Sequence, residues 1–484
     1  MASQLLTVQG IAPKLGRYTK QFRNVRGRNM SGNSARGKLV VRASSTKTDY
    51  SDDVYQLKDA PLKDLLPQKL SGDWQVLEGG VCAPAGFKAA AFKAGLRASG
   101  KRADCALIVA DGPAVSAACF TQNVVAAAPV LFSKKAVASK TTARAVIINA
   151  GQANAATGTG GMEDTVLSAE TVAAALGLDD INDVLVESTG VIGKRIKMTE
   201  LMAAVPHLVR GLENSTAAAS AAATAICTTD LARKQIALEI TLPDKRVITI
   251  GGMGKGSGMI HPNMATMLGV VTCDAPIESE LWRDMTKRAC QNSYNQISVD
   301  GDTSTNDTVV ALASGAAGGA PIKANTPEAF LLEEALTAVH IALAKSIAWD
   351  GEGATVLLEC NVTGAASEKD ARQVARSVVC SSLAKSAMFG RDPNWGRLAA
   401  AAGYAGVPFD QEDLKVTLGG IELMSEGQPL EFDAKAASAY LTEQGDAHGT
   451  VVVDVSIGAG TGTGSAWGCD LSYDYVKINA EYTT

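Results

Sequence analysis

From Gly79 onward the chain alternates short β-branched runs with stretches of helical spacing. Residues 105–110 and 145–149 are compact apolar runs with turn residues behind them, the mark of buried strands. Residues 183–187, 236–242 and 247–250 read the same way. Residues 163–176 and 198–212 place apolar side chains three and four apart, which predicts helices. An Ala-rich helix is expected over 217–226, because Asn214-Ser215-Thr216 supplies side-chain oxygens that can cap its first amide groups. The second half opens with a predicted strand at 267–272 and a helix at 278–292. A strand at 308–313, a helix at 328–346, a strand at 355–362 and a helix at 369–387 follow. Late strands are expected at 414–418 and 450–457. Residues 49–75 read as a charged lead-in. No repeat of fixed period interrupts this order, and the mixture implies an α/β (α+β) fold of layered sheets with helices outside.

Composition sharpens that picture. The 484 residues leave room for one large domain or two to three ordinary ones. Aromatic residues make up only 5%, while there are 47 glycines and abundant alanine, so the core must close by tight packing of small side chains. No apolar stretch approaches the roughly 18 residues needed to cross a bilayer, so no membrane partner is expected. The net charge of −5 gives no basic footprint for nucleic acid.

That charge is unevenly spread. Residues 1–48 hold ten Lys or Arg and no acid, and are rich in Ser, Asn and Gly; acids begin abruptly with Asp49, Asp52 and Asp53. This is the composition of an organelle transit peptide rather than of a secretory signal. The Met-Ala-Ser start and frequent Ser favour the plastid, with Val40-Val41-Arg42-Ala43-Ser44 as the processing region. Without the ten cations, −5 becomes −15, which counts further against nucleic acid or an anionic membrane.

The nine Cys include no Cys-x-x-Cys pair and sit mostly in apolar runs, as buried reduced thiols do. No two of the four His stand at helical i, i+4 spacing, so no metal site is expected. Three Gly-rich segments, 151–161, 251–258 and 458–468, read as loops. The middle one fails as a phosphate loop, because Lys255 is followed by Gly256 instead of Ser or Thr. They read better as backbone that runs close to a ligand or takes positive φ.

The centre of the chain, Lys255-Gly-Ser-Gly-Met-Ile-His-Pro-Asn-Met-Ala-Thr-Met-Leu268, brings a Gly-rich arm to Ala265 and Thr266, where a strand begins. A Thr there can attack the preceding carbonyl, shift the acyl group from N to O, and release itself as a new N-terminus. Its α-amine then lies beside its own hydroxyl and can serve as base, with an unperturbed pKa of about 7.7–8.0.

The segment His261-Pro-Asn-Met-Ala-Thr-Met-Leu268 resembles the self-cleavage signature of the glutamate N-acetyltransferase/ornithine acetyltransferase family of arginine biosynthesis. The resemblance spans nearly everything after residue 75. It takes in Asn149-Ala-Gly-Gln-Ala-Asn154, Glu187-Ser-Thr-Gly-Val-Ile-Gly193, Thr228-Thr-Asp230 and Ser298-Val-Asp-Gly-Asp-Thr-Ser-Thr-Asn-Asp307. It continues through Trp349-Asp-Gly-Glu-Gly353, Asp392-Pro-Asn-Trp-Gly-Arg397, Ala466-Trp-Gly-Cys-Asp470 and Ile478-Asn-Ala-Glu-Tyr-Thr-Thr484.

The resemblance implies an αββα sandwich cut between Ala265 and Thr266. Beyond the transit segment of residues 1–48, an α chain would span 49–265 and a β chain 266–484, assembled as a heterotetramer of two α and two β chains. Thr266 would be the nucleophile that takes acetyl from N-acetylornithine and gives it to glutamate. Thr189 and Gly190 would form the oxyanion pair. Thr229, Lys255, Glu352, Asn479 and Thr484 would join Thr266 in holding substrate. Lys255 suits a carboxylate and Glu352 an amine. No cofactor is implied, and the residues leave open whether acetyl-CoA is a second acetyl donor. The acidic, hydroxyl-rich run 300–307 is read as a turn network without a catalytic role. An amide hydrolase of the same fold would share Thr266, and a binding module would leave the chain uncut.

Self-cleavage predicts two chains of near-equal length on a denaturing gel, the second beginning at Thr266. Thr266→Ala should leave one chain. A fully active enzyme that stays uncut would refute the assignment.

Overall fold

The computed structural model describes residues 48–67, 70–261 and 267–481. Residues 48–481 belong to one compact unit built around two sheets. The first has ten strands. Its middle is the 16-residue strand Cys105–Phe120, whose first half pairs with Phe87–Phe92 and Thr142–Gln152 and whose second half pairs with Thr308–Ala313. The register slips between Val109 and Ala114, at a bulge that bends the strand. On one side Thr142–Gln152 leads in parallel to Val184–Val191. On the other side Thr308–Ala313 leads through Leu268–Cys273 and Val247–Lys255 to Ala232–Thr241.

Alternation along these strands shows how the bent sheet closes on itself. Ile108, Val146, Ile148 and Leu185 from one half share a core with Met253, Leu268, Val270, Val310 and Leu312 from the other. Their strand neighbours face outward. Leu107, Ile147 and Val186 pack under Gly158–Leu176 and Met198–Arg210. Ile250, Val271, Val309 and Ala311 pack under Ser279–Gln291 and Pro327–Trp349. The result is helix, sheet, sheet, helix, the αββα sandwich expected. The Ala-rich helix Thr216–Ala225, capped by Ser215 Oγ accepting from the Ala218 amide at 3.1 Å, fits against the inner core because its side chains are so small.

The second sheet has seven strands in the order Ile297–Ser298, Gly460–Cys469, Leu357–Gly364, Thr450–Ile457, Leu414–Leu418, Ile421–Ser425, Gln428–Pro429. One face carries Glu368–Cys380, Ser382–Phe389 and Trp395–Gly403 over an aliphatic core. The buried helix Pro327–Trp349 packs on strands of both sheets and ties them together.

Several expectations need correction. The strand begun at Cys105 does not stop at Asp111-Gly112-Pro113. Of the three Gly-rich segments, 251–255 lies inside a strand, because a Cβ on Gly251 would stand 2.0 Å from the Gly80 carbonyl oxygen. Gly460–Cys469 is likewise a strand, and glycine is required there because a Cβ on Gly460 would meet the Ala365 carbonyl oxygen at 2.1 Å. The helix expected over 369–387 breaks at Ser381, whose hydroxyl caps a second helix at the Ala384 amide. The charged lead-in includes Lys58–Asp59 and Asp73–Leu77, both paired to Ala232–Thr241. All nine Cys are free thiols, seven of them buried.

Candidate active site

A cleft opens where Val184–Val191 and Val247–Lys255 end. Thr189 and Gly190 form one wall. Gly190 has φ of +127° and lies opposite Gly151, whose φ is +142°. A Cβ on Gly190 would come within 2.3 Å of the Gly151 carbonyl carbon, so only glycine allows this approach. Asn306 holds the same turn, its amide donating to the Ala153 carbonyl at 2.6 Å and the Ser188 carbonyl at 2.8 Å.

Lys255 ends its strand with its side chain nearly buried and is not on a flexible arm. Its Nζ donates to Thr228 Oγ1 at 2.8 Å and to Thr189 Oγ1 at 3.4 Å, and stands 3.9 Å from Asp230. Asp230 is fully buried and also accepts from Lys234 Nζ at 2.8 Å and from the amides of Thr228 and Gly256. Burial opposes its ionisation, but the charges of Lys234 and Lys255 outweigh that and hold its carboxyl well below the usual range. Lys234 bridges in turn to Asp350 at 2.6 Å. Two residues on, the Glu352 amide donates to the Ser257 carbonyl at 2.9 Å and the side chain accepts from Asn479 Nδ2 at 2.8 Å. Gly258 makes room for that carboxylate, since a Cβ there would stand 2.3 Å from it.

The cleft thus gathers Thr189, Gly190, Thr229, Lys255, Glu352 and Asn479 from five separate stretches of sequence. Met267, bonded to Thr266, lines it too. Ala265, Thr266 and Thr484 lie outside the described residues. The run 300–307, expected as a turn network, does bond its own backbone through Asp300 and Ser304, and Asp300, Asp302, Ser304, Thr305, Asn306 and Asp307 also line the cleft. Asp300 accepts from the Met259 and Ile260 amides at 2.6 and 2.8 Å and fixes the arm that leads to His261. The alternation of acids and hydroxyls over 300–307 was the available signal. Thr228, the first residue of the Thr228-Thr-Asp230 motif, and Tyr475, which carried no distinguishing pattern, also line the cleft.

Two acids here are buried with little or no neutralisation. Glu187 stands two residues before Thr189, on the same face of the strand, with neither carboxyl oxygen paired. Asp307 lines the cleft with Oδ2 unpaired. Burial pushes both well above the usual carboxylate range; Lys255 offsets this in part for Asp307.

The fold is thus a layered αββα sandwich with a polar cleft where its central strands end. Residues 88–484 match the ArgJ family. The chain is 61% identical over 460 residues to the chloroplastic arginine biosynthesis bifunctional protein ArgJ of Ostreococcus lucimarinus, covering 94% of this chain and 98% of that one. It is 58% identical over 452 residues to the chloroplastic protein of the same name from Physcomitrium patens, covering 92% and 86%. Among solved structures it is similar to the Mycobacterium tuberculosis ornithine acetyltransferase complexed with ornithine. There the identity is 42%, the shares covered are 40% and 100%, and the TM-score is 0.37. The chain belongs to the ArgJ family.

The buried Glu187 makes a prediction about pH. In the unfolded chain a Glu ionises near about 4.3. The folded chain keeps Glu187 protonated above that value, so the native state binds more protons and its stability falls as pH rises toward the folded pKa. Glu187→Gln keeps the shape without the charge. Denaturant titrations from pH 5 to 7 should show wild type losing up to about 1.4 kcal/mol per pH unit relative to the variant. Parallel stability profiles would refute a protonated Glu187.

Proposed function

We propose that the cleft is the active site of an acetyltransferase of arginine biosynthesis, which moves acetyl from N-acetylornithine to glutamate through acetyl-Thr266. The observation that carries this reading is the convergence of Thr189, Gly190, Thr229, Lys255, Glu352 and Asn479 on one cleft together with the residue bonded to Thr266.

The chemistry follows from those groups. Thr266, freed by cleavage after Ala265, gives its hydroxyl proton to its own α-amine as its oxygen attacks the acetyl carbonyl. Negative charge collects on that carbonyl oxygen, and the Thr189 hydroxyl and Gly190 amide stabilise it. The C–N bond breaks, the proton passes to the leaving ornithine amine, and an acetyl ester remains on Thr266. The glutamate amine then attacks the ester and restores the hydroxyl. Lys255 holds the α-carboxylate and Glu352 the distal amine of ornithine, while Thr229, Asn479 and Thr484 complete the contacts. No cofactor enters these steps; acetyl-CoA would be a second donor to the same Thr266.

Cleavage need not separate the products. Val247–Lys255, from residues 49–265, pairs antiparallel with Leu268–Cys273, from residues 266–484. Thr308–Ala313 pairs with Cys105–Phe120 across the same division. The sheet hydrogen bonds and shared core would keep the α and β chains together as one unit, two of which would form the heterotetramer. Residues 1–47 lie outside the described residues; the transit-like composition of 1–48 and the chloroplastic relatives support a plastid stroma location.

A covalent acetyl-threonine implies ping-pong kinetics. Varying N-acetylornithine and glutamate should give parallel reciprocal lines, and incubation with donor alone should label the fragment that begins at Thr266. Converging lines with no labelled fragment would mean direct transfer.

The oxyanion assignment has its own test. The Thr189 hydroxyl meets charge present only in the tetrahedral state, so Thr189→Ala should lower turnover about 100- to 1000-fold with a smaller change in KM. The Ala265 carbonyl passes through an equivalent oxyanion, so self-cleavage should slow as well. Thr189→Ser should retain much of both rates. Wild-type rates in Thr189→Ala would move the role to other donors.

A further inference from the structure

A second cavity lies on the far side of the arm that walls the cleft, and the acetyl transfer makes no use of it. The arm runs from Gly258 to His261: Met259 faces the catalytic cleft, whereas His261 lines the second cavity. Opposite His261 is the helix Glu368–Cys380, which contributes Lys369, Arg372 and Arg376. The i, i+3, i+7 spacing puts the three cations on one face, along about 10 Å of helix. The third wall is the turn after Ser279–Gln291, which adds the amides of Gln291, Asn295 and Gln296. This cavity is larger than the catalytic cleft.

Its charge is the informative feature. No carboxylate lines it among the described residues. Arg372 reaches Glu368 at 3.3 Å on the outer turn of the same helix, an exposed contact of little strength. Arg376 is half-buried, and its Nε has no hydrogen-bond partner. His261 adds no charge at neutral pH, because burial and then the neighbouring Arg376 push it down to about 4. A chain of net charge −5 has thus collected three cations in one recess whose described lining holds no carboxylate, and only Arg372 reaches an acid, Glu368, outside it. Like charges held together in a protein cost stability unless an anion joins them.

We propose that this cavity is a binding site for a phosphate-bearing small molecule, separate from the amino-acid cleft. Two guanidinium forks suit the oxygens of a phosphoryl group, and Lys369 at the rim adds a point charge. Three cations along one helix face match a ligand with more than one phosphoryl group better than a single carboxylate.

The test uses the processed enzyme and inorganic pyrophosphate, titrated by calorimetry at low salt. Saturable binding of one pyrophosphate per site is expected. Arg372→Gln/Arg376→Gln should weaken it at least about 10-fold, as loss of charge-assisted hydrogen bonds requires. Acetyl transfer without pyrophosphate should stay within about twofold of wild type. Lys369→Gln, at an exposed position that folding does not depend on, should weaken binding severalfold even if the double variant does not fold. Citrate is the second titrant and should bind at least 10-fold more weakly. Absence of saturable pyrophosphate binding, or binding unchanged in the variants, would overturn the proposal. Equal affinity for citrate would overturn the phosphoryl assignment.

Discussion

The cleft depends on one buried network of charges, Lys255–Asp230–Lys234–Asp350. Lys234 and Asp230 are fully buried and Asp350 nearly so. Asp230 gathers the amides of Thr228 and Gly256, and Asp350 gathers those of Leu231 and Ala232 at 3.0 and 3.1 Å. Ser257 Oγ closes the circuit on the Asp350 carbonyl at 2.9 Å. The threonine loop 228–229, the end of the Lys255 strand and the Glu352 turn are therefore held by the same four side chains. Desolvating four ionised groups is expensive, and the mutual pairing offsets it only while every member is present; breaking one such pair costs about 3–5 kcal/mol. What the network secures is relative position: three elements distant in sequence cannot shift independently. A general acetyl acceptor or donor is thus met by a preformed set of groups rather than by loops that must order on binding.

A second constraint acts through glycine. At Gly190 against Gly151, and at Gly251 against the Gly80 carbonyl, backbone approaches backbone at distances no side chain tolerates. The first contact brings the Thr189-Gly190 turn to the edge of the cleft. The second seats the Lys255 strand on the Gly80–Cys82 turn. Glycines that look like loop residues in one dimension are here the places where sheet and turn lie closest.

That explains what the sequence concealed. Residues 308–313 were legible to the residue, because five β-branched or small positions and Leu312 are buried on both faces. Residues 111–113 read as a turn, yet Pro113 sits where the long strand bulges and leaves the ladder, the one place a strand accommodates it. The helices Ala128–Ser139, Ala434–Ala447 and Tyr473–Glu481 lacked either strong caps or clear periodicity, and their packing decides them, whereas Trp395–Gly403 carried a legible cap in Asn394. Among site residues, Thr189, Gly190, Thr229, Lys255, Glu352 and Asn479 came from the family resemblance, not from spacing. A reading from spacing alone placed Lys255 on a Gly-rich arm and took 300–307 as a turn network without a catalytic role. The reason is physical: a strand that ends in a buried cation and a turn held by Asp300 both derive their meaning from partners 27 to 66 residues away.

The distribution of charge within the cleft also bears on what it can hold. Lys255 is the sole cation lining it among the described residues, and its ammonium already shares Thr228 and Thr189 hydroxyls. Glu352 and Asp300 face it from the other wall. Burial pushes the Asp307 carboxyl well above the usual carboxylate range, and Lys255 offsets part of the rise. The site is therefore bipolar, with one positive end and one acidic end, and is not uniformly charged. A zwitterionic amino acid with a second charged group can meet both ends at once, whereas a simple carboxylate or amine meets only one.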